Sequence, residues 1–152
     1  MQPDQKLSLN FRLSEFTVSQ EGARAGLRNE PLSSHVANLT RVANLLEQVR
    51  TLLGNHRIII SSGYRSPAIN NLVGGSATSA HMQGLAADFI CPDYGTPRQI
   101  CQAIADSPIP FDQLIQEGTW VHLGLSVGEP RRDVCTAIFV AGSKTKYPKG
   151  IL

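Results

Sequence analysis

Two short stretches hold the residues whose types and spacing suit chemistry. Residues 79–88 read SAHMQGLAAD, with His81 and Asp88 seven positions apart and Gly84 between them. A histidine in a loop and a carboxylate on the strand that follows can converge on one metal ion if Gly84 lets the chain bend. Residues 120–124 read WVHLG, and strand alternation places Trp120, His122 and Gly124 on one face, Val121 and Leu123 on the other. If residues 85–90 and 120–125 form neighbouring strands, Asp88 and His122 point to the same side. Two imidazoles and one carboxylate give Zn²⁺ three protein ligands and leave a fourth position for water, the arrangement of catalytic rather than structural zinc. Asp88 also sits inside LAADFI, where an unpaired charge is costly and a cation must answer it. His35 and His56 stand in no such pattern and read as ordinary imidazoles satisfied by backbone or solvent.

The elements that must carry these residues are legible around them. From Ser33 or Ser34, apolar residues Val36, Leu39, Val42, Leu45, Leu46, Val49, Leu52 and Leu53 recur at three- and four-residue intervals before Gly54, which predicts a long amphipathic helix. Residues 57–61, with three consecutive isoleucines, predict a buried strand. Ser66 and Pro67 predict the cap and first turn of a short helix through Leu72, and Thr96 and Pro97 those of a helix to about Asp106. Residues 74–79 are loop. Residues 111–116, 120–125 and 134–140 predict three more strands besides 85–90. Residues 7–31 form a packing arm in which Ser14 caps a short helix. The class is α+β: helices packed on a small antiparallel sheet that carries the zinc site. One domain over residues 1–152 is expected, with residues 1–31 as the arm and 141–152 as a tail.

Composition excludes several function classes. The chain has 152 residues, 41% hydrophobic and 17% charged, enough to close a core without staples. Its net charge of +2 comes from 14 basic and 12 acidic residues with no basic stripe for nucleic acid; Lys144, Lys146 and Lys149 read as a solvated end. The three cysteines form no CxxC pair, so Cys91, Cys101 and Cys135 read as small core residues. No run reaches the ~20 apolar residues of a transmembrane helix, and the N-terminus carries no recognisable signal peptide.

The ordered set SxHxxGxAxD, then WxH, preceded by SSGYRSP at residues 61–67, resembles the M15 peptidases over roughly residues 58–125. They belong with the zinc peptidases related to D-Ala-D-Ala carboxypeptidases and dipeptidases, a group that includes phage endolysins and bacterial cell-wall endopeptidases. The resemblance implies that His81, Asp88 and His122 bind one zinc per chain, that Arg65 contacts a substrate carboxylate or carbonyl, and that Ser79 helps position the peptide. The guanidinium fork of Arg65 suits that role and would also stabilise a developing oxyanion. It implies peptidoglycan stem peptides as substrate, cut by a carboxypeptidase or an endopeptidase.

A base is then required to take a proton from water and pass it to the leaving amine. Many family members carry this acid three residues before the second histidine; here that position is Thr119, and Glu117 lies five before His122. Glu117 is the first candidate, returned to the site if Gly118 and Thr119 make a tight hairpin, and Asp112 is the alternative. Trp120 is either core or a wall of the substrate cleft, and the other walls are expected from residues 74–78, 91–98 and 126–133. A monomer without a nucleic-acid partner is expected, made in the cytoplasm and reaching the cell wall by phage-type lysis or another export route. The competing readings are a zinc-containing binding module that no longer hydrolyses, and a structural virion protein without metal.

Overall fold

A computed structural model describes residues 4–152. In chain order the elements are α1 (Leu13–Thr17), α2 (Gln20–Arg24), α3 (Ser33–Leu52), β1 (Ile59–Ser62), α4 (Pro67–Leu72), a 3₁₀ turn (Ala80–Gln83), β2 (Ala86–Ile90), α5 (Pro97–Ala105), β3 (Gln113–Gln116), β4 (Val121–Gly124) and β5 (Asp133–Thr136). The class is α+β.

Local chemistry explains most of the boundaries. The α3 helix buries Leu39, Val42, Ala43, Leu45, Leu46 and Val49 along one stripe, and Gly54, with φ of +81°, turns the chain out of it. Its first turn is closed by His35, whose Nδ1 accepts from the Leu32 amide at 3.1 Å. Ser66 caps α4 by accepting from the Ile69 amide, and Thr96 and Gln99 make a reciprocal capping box on α5. The helix α1 is capped differently from the sequence expectation. Ser14 lies inside it, and its amide and hydroxyl both donate to the Asp4 carboxylate.

The sheet has the order β1-β2-β4-β3-β5. Pairing is antiparallel from β1 through β3, but β5 runs parallel to β3, so the sheet is mixed rather than antiparallel. After β4 the chain passes round the end of β3 before entering the sheet on its far side. Arg132, at φ of +52°, holds that crossing by donating to the carbonyls of Ile109 and Ser107, each at 2.6 Å. The strand predicted over 134–140 therefore stops at Thr136, and beyond it Ile138 bridges Lys146.

One face of the sheet is core. Ala87 and Phe89 of β2, Leu114 of β3, and Val121 and Leu123 of β4 are buried with the α3 stripe and with Ile100, Cys101 and Ile104 of α5. Residues 57–61 do not form a buried strand as expected: β1 is an edge, and Ile59 is 39% exposed. The arm contributes Leu7, Phe11 and Phe16 to the core. The lysines of the tail are exposed as expected, but the end of the chain is also tethered, since Lys149 bonds Asp133 and the Thr136 hydroxyl donates to the Gly150 carbonyl. The three cysteines are buried and free, and no helix among the described residues is long and apolar enough to cross a membrane.

Gly84 carries the bend between the 3₁₀ turn and β2. Its φ is +72°, and a Cβ there would lie 2.7 Å from the His35 carbonyl oxygen. Strain in the left-handed region and this clash together predict that Gly84→Ala lowers unfolding free energy by about 2 kcal/mol or more. Urea unfolding measures this, and an unchanged midpoint would contradict the role given to the bend.

Candidate metal and catalytic site

The site is built on the face of the sheet opposite the core. In the ladder Asp88 of β2 is directly opposite His122 of β4, and His122 is opposite Ile115 of β3. Alternation brings Asp88 and His122 to the same face while Phe89, Val121 and Leu123 go into the core. His81 comes from the 3₁₀ turn, where the Ser79 hydroxyl accepts from its amide at 3.2 Å. The three side chains predicted from sequence thus meet, offering one ligand atom each within 4.8 Å of one another.

Their hydrogen bonding tests whether a cation fits. His81 Nδ1 lies 2.7 Å from the Gly63 carbonyl oxygen, which can only accept, so the ring's proton resides on Nδ1. Its Nε2 faces Asp88 Oδ1 at 3.2 Å, and His122 Nδ1 faces the same oxygen at 3.0 Å. Burial pushes the pKa of His81 down, against the pull of Asp88, which favours the neutral ring. A neutral His81 then sets a lone pair against a carboxylate oxygen, an arrangement that a metal ion relieves and a buried proton does not. For Asp88 burial works against ionisation, and protonated imidazoles at His81 and His122 would outweigh it and hold the carboxyl below the usual carboxylate range, a part that a metal cation takes when His81 is neutral. The donor set of two imidazoles and an ionised carboxylate fits zinc, with the Gly63 carbonyl as the partner that orients His81.

Around this group lies a cavity of about 860 Å³, lined among others by Arg65, Ser79, Asp112, Glu117, Trp120 and Tyr147. Arg65 Nη2 is 4.0 Å from Asp88 Oδ2, its Nη1 donates to Asn70 Oδ1 at 3.2 Å, and its Nε is buried without a partner. Ser79 caps the His81 turn as well as lining the cavity. Glu117 is brought in by the turn between β3 and β4. Gly118 takes φ of +81° and the Glu117 amide donates to the Trp120 carbonyl at 3.1 Å, which is the hairpin the sequence required. The Trp120 indole donates to Glu117 Oε2. Burial, then the Asp88 charge, raise the pKa of Glu117. Asp112 is committed elsewhere: Arg131 grips it through Nε at 3.1 Å, Nη2 at 2.8 Å and its amide at 2.9 Å, and these bonds hold its carboxyl low.

Two features were not anticipated. Asn70, buried in α4, fixes Arg65 while its Nδ2 donates to the Ser76 carbonyl at 2.9 Å; the only signal was a polar residue on the inner face of a short helix. The cleft walls expected from 74–78 and 126–133 are present, but residues 91–98 do not line the cavity. Phe139, Thr145 and Tyr147 do so instead.

In comparison with known protein families, residues 9–124 match the family described as Peptidase M15. The chain belongs to that family. No curated protein matches it. The M15 match spans α1 through β4, and so includes Arg65, Glu117 and all three candidate ligands.

After chelator treatment, the protein is expected to bind one equivalent of Zn²⁺ in calorimetric titration. Free zinc a thousandfold above Kd should stabilise the fold by about 4 kcal/mol. Asp88→Ala and His122→Ala should abolish saturable binding. A second equivalent of equal affinity, or binding that survives both substitutions, would contradict the site.

Proposed function

We propose that this M15 family member is a zinc-dependent peptidase that hydrolyses peptide bonds in peptidoglycan stem peptides or their cross-links. The observation that carries the catalytic part is that Glu117 and Arg65 share one cavity with the His81, Asp88 and His122 group. The peptidoglycan part is supported by the SSGYRSP, SxHxxGxAxD and WxH motifs, through which the chain resembles the cell-wall peptidases of the M15 group.

Zinc bound by His81, Asp88 and His122 would acidify water and polarise the scissile carbonyl. The protein's own groups do the rest. Trp120 occupies Glu117 Oε2, which leaves Oε1 to take a proton from the attacking water and deliver it to the leaving nitrogen. Arg65, oriented by Asn70, supplies donors to the peptide oxygen as negative charge develops there. Its unpartnered Nε and its loose Nη2 contact are consistent with a group whose partner is the substrate. Asp112, already held by Arg131, is a weaker candidate for the base, and the presence of Glu117 in the cavity favours hydrolysis over a binding module. The protein acts as a monomer on the cell wall, after release from the cytoplasm where it is made.

Purified sacculi incubated with the protein should release soluble peptides, stop doing so with chelator and resume with zinc; mass spectrometry of the fragments assigns the bond. Binding without release would favour the inactive module. Glu117→Gln should retain one zinc and lose about 10²-fold or more in kcat, and full activity in that variant would remove Glu117 as the base. Because a base works ionised and the pKa of Glu117 is raised, kcat/KM should fall as pH drops through that raised value, and this acid limb should vanish in Glu117→Gln. A limb unchanged by the substitution would contradict the assignment.

A further inference from the structure

The part of the chain that follows the M15 match, residues 125–152, builds one wall of the catalytic cavity. Ala137 donates its amide to the Gln116 carbonyl at 2.8 Å, which moors the segment at the end of β3. Ile138 and Lys146 then exchange hydrogen bonds at 2.8 and 3.1 Å and close a hairpin. From this hairpin and the residue after it, Phe139, Thr145 and Tyr147 line the cavity. Phe139 is 57% and Tyr147 50% exposed. The Phe139 ring packs against Trp120 with centroids 6.2 Å apart, and Trp120 in turn holds Glu117. Tyr147 and Glu117 line the same cavity, and burial, then the charge of Glu117, raise the pKa of the Tyr147 phenol.

We propose that Phe139 and Tyr147, with Trp120, form the subsite for the residue that follows the scissile bond and select a large side chain with a hydrocarbon ring or stem. The inference rests on Glu117 being the base. The proton that Glu117 delivers goes to the leaving nitrogen, so the residue bearing that nitrogen lies on the Glu117 side of the cavity. That side is walled by Trp120, Phe139 and Tyr147. Two half-exposed rings present apolar surface that a glycine or alanine side chain leaves wet and a lysine stem or an aromatic ring covers. Arg65, held by Asn70, contributes charge rather than apolar area. The aromatic surface that can select for size therefore lies at the position after the bond.

The chain has a single tryptophan, Trp120, so its fluorescence reads occupancy of this wall directly. Zinc-loaded protein is titrated with dipeptides that represent the leaving fragment, Phe-Ala, Lys-Ala and Gly-Ala, while kcat/KM is measured on peptides varied at the residues before and after the cut bond. Phe-Ala and Lys-Ala should change Trp120 emission saturably and bind about tenfold or more tighter than Gly-Ala. Phe139→Ala and Tyr147→Ala should each compress that ratio, and the matching kcat/KM ratio, while thermal unfolding and zinc content stay unchanged. Equal binding of the three dipeptides, or a ratio insensitive to both substitutions, would overturn the subsite. So would selectivity that follows the residue before the bond. If the dipeptides are discriminated as expected but no peptide is hydrolysed, the wall stands and the peptidase reading fails. If hydrolysis proceeds without size preference, the peptidase reading stands and the subsite fails.

Discussion

The hydrogen bond between His81 Nδ1 and the Gly63 carbonyl is the constraint on which the rest of the site depends. It commits the imidazole proton to one side of the ring and turns Nε2, as a lone pair, toward Asp88. In a buried place that sets a lone pair against a carboxylate oxygen, and so marks where a cation fits. Gly63 can supply this carbonyl because it has no side chain: a Cβ there would lie 2.6 Å from the Phe16 carbonyl oxygen. The arm is thus coupled to the site, since the helix that carries Phe16 packs directly over the residue orienting His81.

The sheet serves two purposes through one alternation. Inward residues of β2, β3 and β4 close the core against α3 and α5, and the same register sets Asp88, His122 and Ile115 in a row on the other face. Two of the three ligands, Asp88 and His122, rest on paired strands, and the third, His81, is fixed from the 3₁₀ turn by the Gly63 carbonyl, which suits a site that must be positioned before substrate arrives. Glu117, Arg65 and the hairpin after β5 are then added around that row from turns and connections. The M15 match ends at β4, and the outer wall is contributed by the segment beyond it.

The sequence made some of this visible because the relevant interactions are local. The three- and four-residue spacing of α3, the Ser66 and Thr96 caps, and the alternation of WVHLG each depend on neighbours along the chain, and each appears in the structure close to where it was expected. So does the Gly118 turn that returns Glu117. The parallel placement of β5 was not legible, because strand order is decided by where residues 125–132 cross and by what Arg132 bonds at a distance. Ile58, Ile59 and Ile60 read as a buried strand because composition reports β propensity, whereas edge position is a property of the sheet. The wall residue Phe139 escaped for the same reason, since it packs on Trp120 from a separate segment of the chain, and Asn70 escaped because its bond to Arg65 spans the turn into α4 and follows no helical or strand period.

The account's central claim is that His81, Asp88 and His122 hold a zinc with one position left for solvent. X-ray absorption at the zinc edge, on protein loaded with one equivalent, tests it most directly. The account predicts a first shell of nitrogen and oxygen only, outer-shell scattering from two imidazoles, and a fourth light ligand that a small anion displaces. A sulfur scatterer, a third imidazole, or a fourth ligand that no anion displaces would contradict it.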